Sequence, residues 1–176
     1  MIPRPVVALI LLFPCSETYE KLKAEQETEL TEKGQTISDE VYFLKQVISN
    51  ACGTIALIHS VANNQEEIQL GDGPLKQFLE DTKSMTPDER GAMLMKNEGI
   101  ASDHNEIAVE GQTQAPPENE PVNHHFVAFV QKEGSLYELD GRKAFPINHG
   151  SSNPDTFVEV IEKIMLRLFL WSYFRP

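Results

Sequence analysis

The longest unbroken apolar run is Val6-Val7-Ala8-Leu9-Ile10-Leu11-Leu12-Phe13, between Pro5 and Pro14. It has no polar alternation, so it reads as a central strand buried on both faces. Glu17 to Lys33 is rich in strong helix formers and stops at Gly34, which predicts a solvated helix. Val41-Tyr42-Phe43-Leu44 forms a short apolar approach to a turn at Gln46, and Cys52 to Val61 has the length and apolar face of a core helix ending at Asn63-Asn64. Leu75, Phe78 and Leu79 give Pro74 to Lys83 one apolar face. Thr86-Pro87-Asp88-Glu89 is a capping box with proline at the first helical position, opening a helix predicted to reach about Ile107. Ala108 to Val122 is polar and proline-rich and reads as a surface loop, its place just before His125 making it a lid. His125 to Gln131, the turn Glu133-Gly134, and Ser135 to Leu139 predict an antiparallel hairpin. Asn153-Pro154-Asp155 announces a last helix from Thr156 to Phe169.

Composition narrows this picture. At 176 residues and 40% hydrophobic content, one domain spanning 1–176 is expected. Fifteen basic against twenty-seven acidic residues give a formal charge of −12, which repels nucleic acid and favours a monomer in solution. Cys15 and Cys52 are too few for a secreted disulfide framework, so a reducing, cytoplasmic setting is expected. Arg4 before the apolar run imitates a signal peptide, but Pro14-Cys15-Ser16 makes a poor cleavage site. Ile164 to Phe174 is apolar but broken by Arg167 and too short for a bilayer, so no membrane anchor is expected.

Four residues carry candidate chemistry. A cysteine attacks as thiolate, and Cys52 has two aids to ionisation: the helix N-terminus it opens and an imidazolium from His125. Asp140 would orient that imidazole. Gln46, six positions before the cysteine, can offer its side-chain amide to a tetrahedral oxyanion beside the Cys52 backbone N–H, with Gly53 allowing close approach. Each has a blander rival. A cysteine in an apolar helix is usually a buried hydrophobe, a strand histidine is usually a core hydrogen-bonder, and Asp140-Gly141 alone is usually a turn. His124-His125 raises metal binding, but the histidines and cysteines show no zinc-type spacing, so no metal is expected.

Gln46 through Ile55, Leu57-Ile58-His59, Ala62-Asn63-Asn64, Glu110-Gly111-Gln112, His125-Phe126, Leu136 to Arg142 and Phe145 to Gly150 together resemble the ubiquitin carboxyl-terminal hydrolases, in order and with matching gaps. The resemblance implies an α+β, papain-like cysteine hydrolase fold, a central antiparallel sheet surrounded by helices. It implies Cys52 as nucleophile, His125 as base and acid, Asp140 as orienting carboxylate and Gln46 as oxyanion donor, with no cofactor. It further implies ubiquitin, and by extension ubiquitin-like proteins, as partner, with small adducts or short extensions removed from ubiquitin's C-terminal glycine. The loop 108–122 matches the family's crossover loop over the active site, and Ala108, Val109, Glu110, Gly111, Gln112, Thr113, Gln114 and Ala115 match its ubiquitin-contacting part. Ubiquitin's tail carries arginines, which suits an acidic partner.

Two departures qualify that expectation. The family has a further N-terminal segment with an early strand, and after Thr156 the sequence Ile164 to Trp171 stands where a more polar helix and a final central strand are expected. The fold is therefore expected to be incomplete at both ends, with low stability and weak ubiquitin affinity. The alternative to an active hydrolase is an inactive product that at most binds ubiquitin.

Overall fold

The computed structural model describes residues 4–48, 50–100 and 124–174, with 168–174 described by backbone alone. Four strands, β1 (Ala8–Pro14), β2 (His124–Lys132), β3 (Ser135–Leu139) and β4 (Ile147–Ser151), form one sheet in the order β1-β2-β3-β4, every neighbour antiparallel. Helices accompany them among the described residues: α1 (Glu17–Lys33), α2 (Cys52–Ala62), α3 (Pro74–Thr82), α4 (Pro87–Lys96) and α5 (Phe157–Phe174).

Strand alternation sorts the core into layers. On β2, Ala128 and Val130 face one way and pack with Ala56 of α2, Tyr137, Leu139 and the segment holding Val41 and Phe43. Val127 and Phe129 face the other way and pack with Leu136 and with Phe157 and Ile161 of α5. The sheet is thus sandwiched between α2 and α5. A third cluster lies behind α2, where Ile55 and Ile58 meet Phe78 and Leu79 of α3 and Leu94 of α4.

Three expectations change. The strand buried on both faces is β2 rather than the apolar run at the N-terminus: β1 stands at the edge of the described sheet, and alternate side chains Ile10 and Leu12 are 41% and 51% exposed. Continuous hydrophobicity does not distinguish a central strand from an edge strand, because the number of neighbouring strands is a long-range property. The helix predicted to reach Ile107 ends at Lys96. Asn97 leaves the helical conformation (φ −83°, ψ 95°), and its Oδ1 accepts the Ile100 N–H (3.0 Å) as an N-cap would for a new turn. Strand β4 was not foreseen from pattern; Ile147-Asn148-His149-Gly150-Ser151 is too polar to announce itself and is recruited by pairing with β3.

The solvated reading of α1 is right about its apolar content, since none of its residues is buried, yet the helix is not free. It docks through polar bonds onto the segment after β3. Glu20 pairs with Arg142 (2.6 Å), Gln26 accepts from Lys143 (2.7 Å), and Glu27 accepts from the Ala144 backbone N–H. Lys143 is in turn buried against Glu138, whose other oxygen meets His149 (2.8 Å). Burial works to raise the Glu138 carboxyl, but the Lys143 charge and the His149 hydrogen bond outweigh it and hold it down at about 2. No helix among the described residues is long and apolar enough to cross a membrane.

Candidate active site

Three of the four sequence-derived candidates lie at the end of an element, and Gln46 lies in the irregular segment between α1 and α2. Cys52 is the first residue of α2. Ala51 before it supplies no side-chain cap, so the leading N–H groups of the helix are not taken by one. Asn50 precedes it in the left-handed region (φ 60°), which asparagine tolerates better than most residues. His125 lies at the start of β2, opposite Phe13 in the register, and Asp140 directly follows β3. Pairing of β2 with β3 brings these two strand ends together, so the His125 Nε2 meets Asp140 Oδ1 at 2.7 Å, both side chains almost wholly buried. The Cys52 thiol is close enough to the His125 ring for each to shift the other's ionisation.

The electrostatics follow from that chain of contacts. Burial pushes the Cys52 thiol up, but the His125 ring and the backbone N–H groups of Phe126 and Gly53 outweigh it and leave the thiol below its ordinary value. For His125 burial works against the charged ring, yet Asp140 and Cys52 prevail and raise it to about 9. Asp140 is held down at about 2, its burial more than offset by His125, the Tyr19 hydroxyl and the Arg142 backbone N–H. The shifts of Cys52 and His125 thus run toward thiolate and imidazolium, beside an ionised Asp140 carboxylate.

Gln46 reaches the site through a separate scaffold. The Leu44 N–H donates to His59 Nε2 (3.1 Å), and the Asn63 amide brackets Tyr42, accepting its N–H (2.8 Å) and donating to its carbonyl (2.9 Å). His59 of α2 and Asn63, its C-cap, thus stand in for a neighbouring strand along 42–44. His59 is fully buried and stacked on Phe43 (5.2 Å), and burial depresses its pKa to about 4, keeping it neutral as an acceptor must be. Farther along, the Lys45 N–H donates to the Pro87 carbonyl (3.0 Å), and the Gln46 N–H donates to the Gly141 carbonyl (2.8 Å), next to Asp140. A Cβ on Gly141 would come within 3.0 Å of Ile55 and 3.1 Å of the Gln46 Cβ, so glycine permits this approach. The Gln46 side-chain N–H2 donates to the Ile48 carbonyl (3.1 Å), which leaves its second N–H for another acceptor. At Gly53 a Cβ would meet the Phe126 ring at 3.4 Å, an ordinary contact.

Sequence reasoning missed two contributors. Tyr19 Oη donates to Asp140 Oδ2 (2.6 Å), and the Arg142 backbone N–H donates to Oδ1 (2.8 Å). Nothing in the polar stretch around Tyr19 signals a role, since the partner is 121 positions away. The candidate lid 108–122, with Ala108 to Ala115, lies outside the described residues. Among the described residues no cluster of three or more His, Cys, Asp or Glu side chains is placed to hold a metal ion.

A thiol that opens a helix, an imidazole at a strand start and a carboxylate at the next strand end are the equipment of a cysteine hydrolase. The sequence profile of "Ubiquitin carboxyl-terminal hydrolase, family 1" matches residues 1–168. A ubiquitin carboxyl-terminal hydrolase of Drosophila melanogaster is 53% identical over 163 residues, covering 93% of this chain and 71% of its own length. A probable one of Dictyostelium discoideum is 48% identical, covering 96% and 66%, and human ubiquitin carboxyl-terminal hydrolase isozyme L1 is 47% identical, covering 93% and 71%. Among solved structures, the Trichinella spiralis UCH37 catalytic domain bound to ubiquitin vinyl methyl ester superposes with a TM-score of 0.67 at 27% identity, over 93% of this chain and 69% of that one. The chain belongs to the ubiquitin carboxyl-terminal hydrolase family, whose members are cysteine peptidases, and it spans about two thirds of the length of these relatives.

Proposed function

We propose that this chain hydrolyses bonds at the C-terminal glycine of ubiquitin, releasing small adducts or short extensions, through Cys52, His125, Asp140 and Gln46. The observation that carries the reading is the continuous contact from the Cys52 thiol through His125 to Asp140, which lowers the first pKa and raises the second. The Cys52 thiolate attacks the glycine carbonyl, forming a C–S bond and a tetrahedral oxyanion. That oxyanion accepts from the free Gln46 side-chain N–H and the Cys52 backbone N–H. His125, starting as imidazolium, passes its proton to the leaving nitrogen or oxygen as the bond breaks, leaving a thioester. The now neutral ring takes one proton from water, whose oxygen attacks the thioester; collapse returns the Cys52 thiolate and a carboxylic acid that releases its proton to solvent, with imidazolium restored. Asp140 holds the ring throughout and keeps its charge.

Ubiquitin as partner is supported by the family and by the ubiquitin adduct in the name of the Trichinella structure. Acidic excess suits the arginine-bearing tail of ubiquitin, and ubiquitin-like proteins with similar tails are further candidates. Ala108 to Ala115, within the crossover loop 108–122, are assigned to contact ubiquitin and to limit the leaving group. A monomer acting in the cytoplasm completes the reading.

Reaction with ubiquitin carrying a C-terminal thiol-reactive warhead tests it directly. A covalent adduct on Cys52, abolished by Cys52→Ala, is expected. Folded, monodisperse protein that binds ubiquitin yet forms no adduct would replace this reading with that of a non-catalytic ubiquitin binder.

A further inference from the structure

We infer that Tyr19 is a positioning residue for this reaction: its hydroxyl fixes the Asp140 carboxylate in the orientation that presents Oδ1 to His125. The inference rests on the proposed catalytic roles of Cys52, His125 and Asp140.

Asp140 is fully buried and its two oxygens are used unequally. Oδ1 takes both the His125 Nε2 (2.7 Å) and the Arg142 backbone N–H (2.8 Å), whereas Oδ2 takes Tyr19 Oη (2.6 Å). The terminal torsion of an aspartate is broad, so donors on one oxygen restrain it less than donors on both. Tyr19 supplies the second hold. Burial and the adjacent Asp140 charge push its hydroxyl well above the ordinary value, which favours the protonated, donating form.

Tyr19 is itself placed by the first turn of α1. Its N–H donates to Ser16 Oγ (3.1 Å), and its ring stands edge-on to Phe13 (4.7 Å), the residue opposite His125 in the β1–β2 register. Next to it, Glu20 holds Arg142 (2.6 Å), whose backbone N–H is the other anchor on Asp140. A largely apolar cavity of about 310 Å³ lies against Tyr19, lined also by Leu22, Phe129 and Met165. Close packing therefore does not account for the ring's placement on that side, and the hydroxyl bond has a part in it. Among the described residues, the ionisable groups facing His125 are Asp140, Cys52 and Tyr19, and those facing Tyr19 are Asp140, Glu138, Arg142 and His125.

Tyr19→Phe keeps the ring and removes the hydroxyl, which suits it to the test. With a fluorogenic ubiquitin C-terminal substrate, kcat should fall about tenfold, the scale of losing a supporting hydrogen bond behind a site residue, while KM stays unchanged. The His125 imidazole titration, followed by NMR, should move down by about one pH unit as its pairing with Asp140 loosens. In an Asp140→Asn background the same change should add nothing further. Wild-type kinetics with an unmoved His125 titration would overturn the inference. So would an upward movement, which would mean that the hydroxyl only drains charge from the carboxylate, or a full loss repeated in the Asp140→Asn background. Should the unvaried protein be inert to ubiquitin substrates, the catalytic reading fails by itself, and the His125 titration still decides whether Tyr19 positions Asp140.

Discussion

Among single residues, Gln46 shows how little of a side chain's role is local. Its type and its distance from Cys52 mark it as a candidate donor, but its placement depends on Gly141, His59 and Pro87, none of which is near in sequence. One amide N–H is spent on the Ile48 carbonyl, and the other has no partner among the described residues. Gln46→Ala should therefore lower kcat by roughly a hundred- to a thousandfold with little change in ubiquitin affinity, measured by steady-state hydrolysis alongside calorimetric binding. An equal loss in binding would assign Gln46 to ubiquitin contact instead. Cys52, His125 and Asp140 stand out as candidates in the sequence because cysteine, histidine and aspartate are chemically distinctive residue types. Tyr19 does not, because a tyrosine in a polar helix carries no such mark.

At the level of elements, local chemistry set the starts and long-range contact set the fates. Thr86 and Glu89 form the expected reciprocal cap of α4, and Ser16 caps α1. The hairpin turn uses Glu133 (φ 46°) and Gly134 (φ 76°), both left-handed, as a tight connection demands. Gly91 in α4 runs against the usual helix preference. Alanine normally stabilises an exposed helix interior by about 1 kcal/mol over glycine, but here a Cβ would come within 2.4 Å of the Lys45 carbonyl oxygen. Gly91→Ala should reverse that sign. We expect thermal stability to fall and, because Lys45 adjoins Gln46, turnover to fall with it. A variant at least as stable as the parent would show that α4 can shift without disturbing the Gln46 turn.

Across the whole molecule, the buried imidazoles set opposing limits on stability. His59 has a folded-state pKa of about 4 against an ordinary 6.5, so the unfolded chain binds the extra proton first. Its contribution is complete above pH 6.5 and is lost as pH falls toward 4, an effect of about 3 kcal/mol. Asp140 and Glu138, both held down at about 2, add a second loss that begins below their ordinary values and runs toward that pH. His125 has the reverse sign: raised to about 9, it stabilises fully below pH 6.5 and less as pH climbs through 9. Urea denaturation between pH 4 and 9.5 should thus peak near 6.5. A His59→Gln variant should flatten the acid side alone, and an unchanged acid slope would remove His59 as its cause.

The sequence by itself determined the short-range features: helix starts from capping residues, the hairpin from its turn, the family from ordered motifs, and the four chemical groups from their types. Tertiary structure alone decided that β2 rather than β1 is sandwiched between helices, that β4 exists, that α1 docks by polar bonds, and that Tyr19 backs Asp140. The reason is physical. Capping, turns and periodicity act over a few residues and are written in neighbouring letters. Burial, strand neighbours and hydrogen bonds spanning more than a hundred positions exist only after the chain has closed on itself.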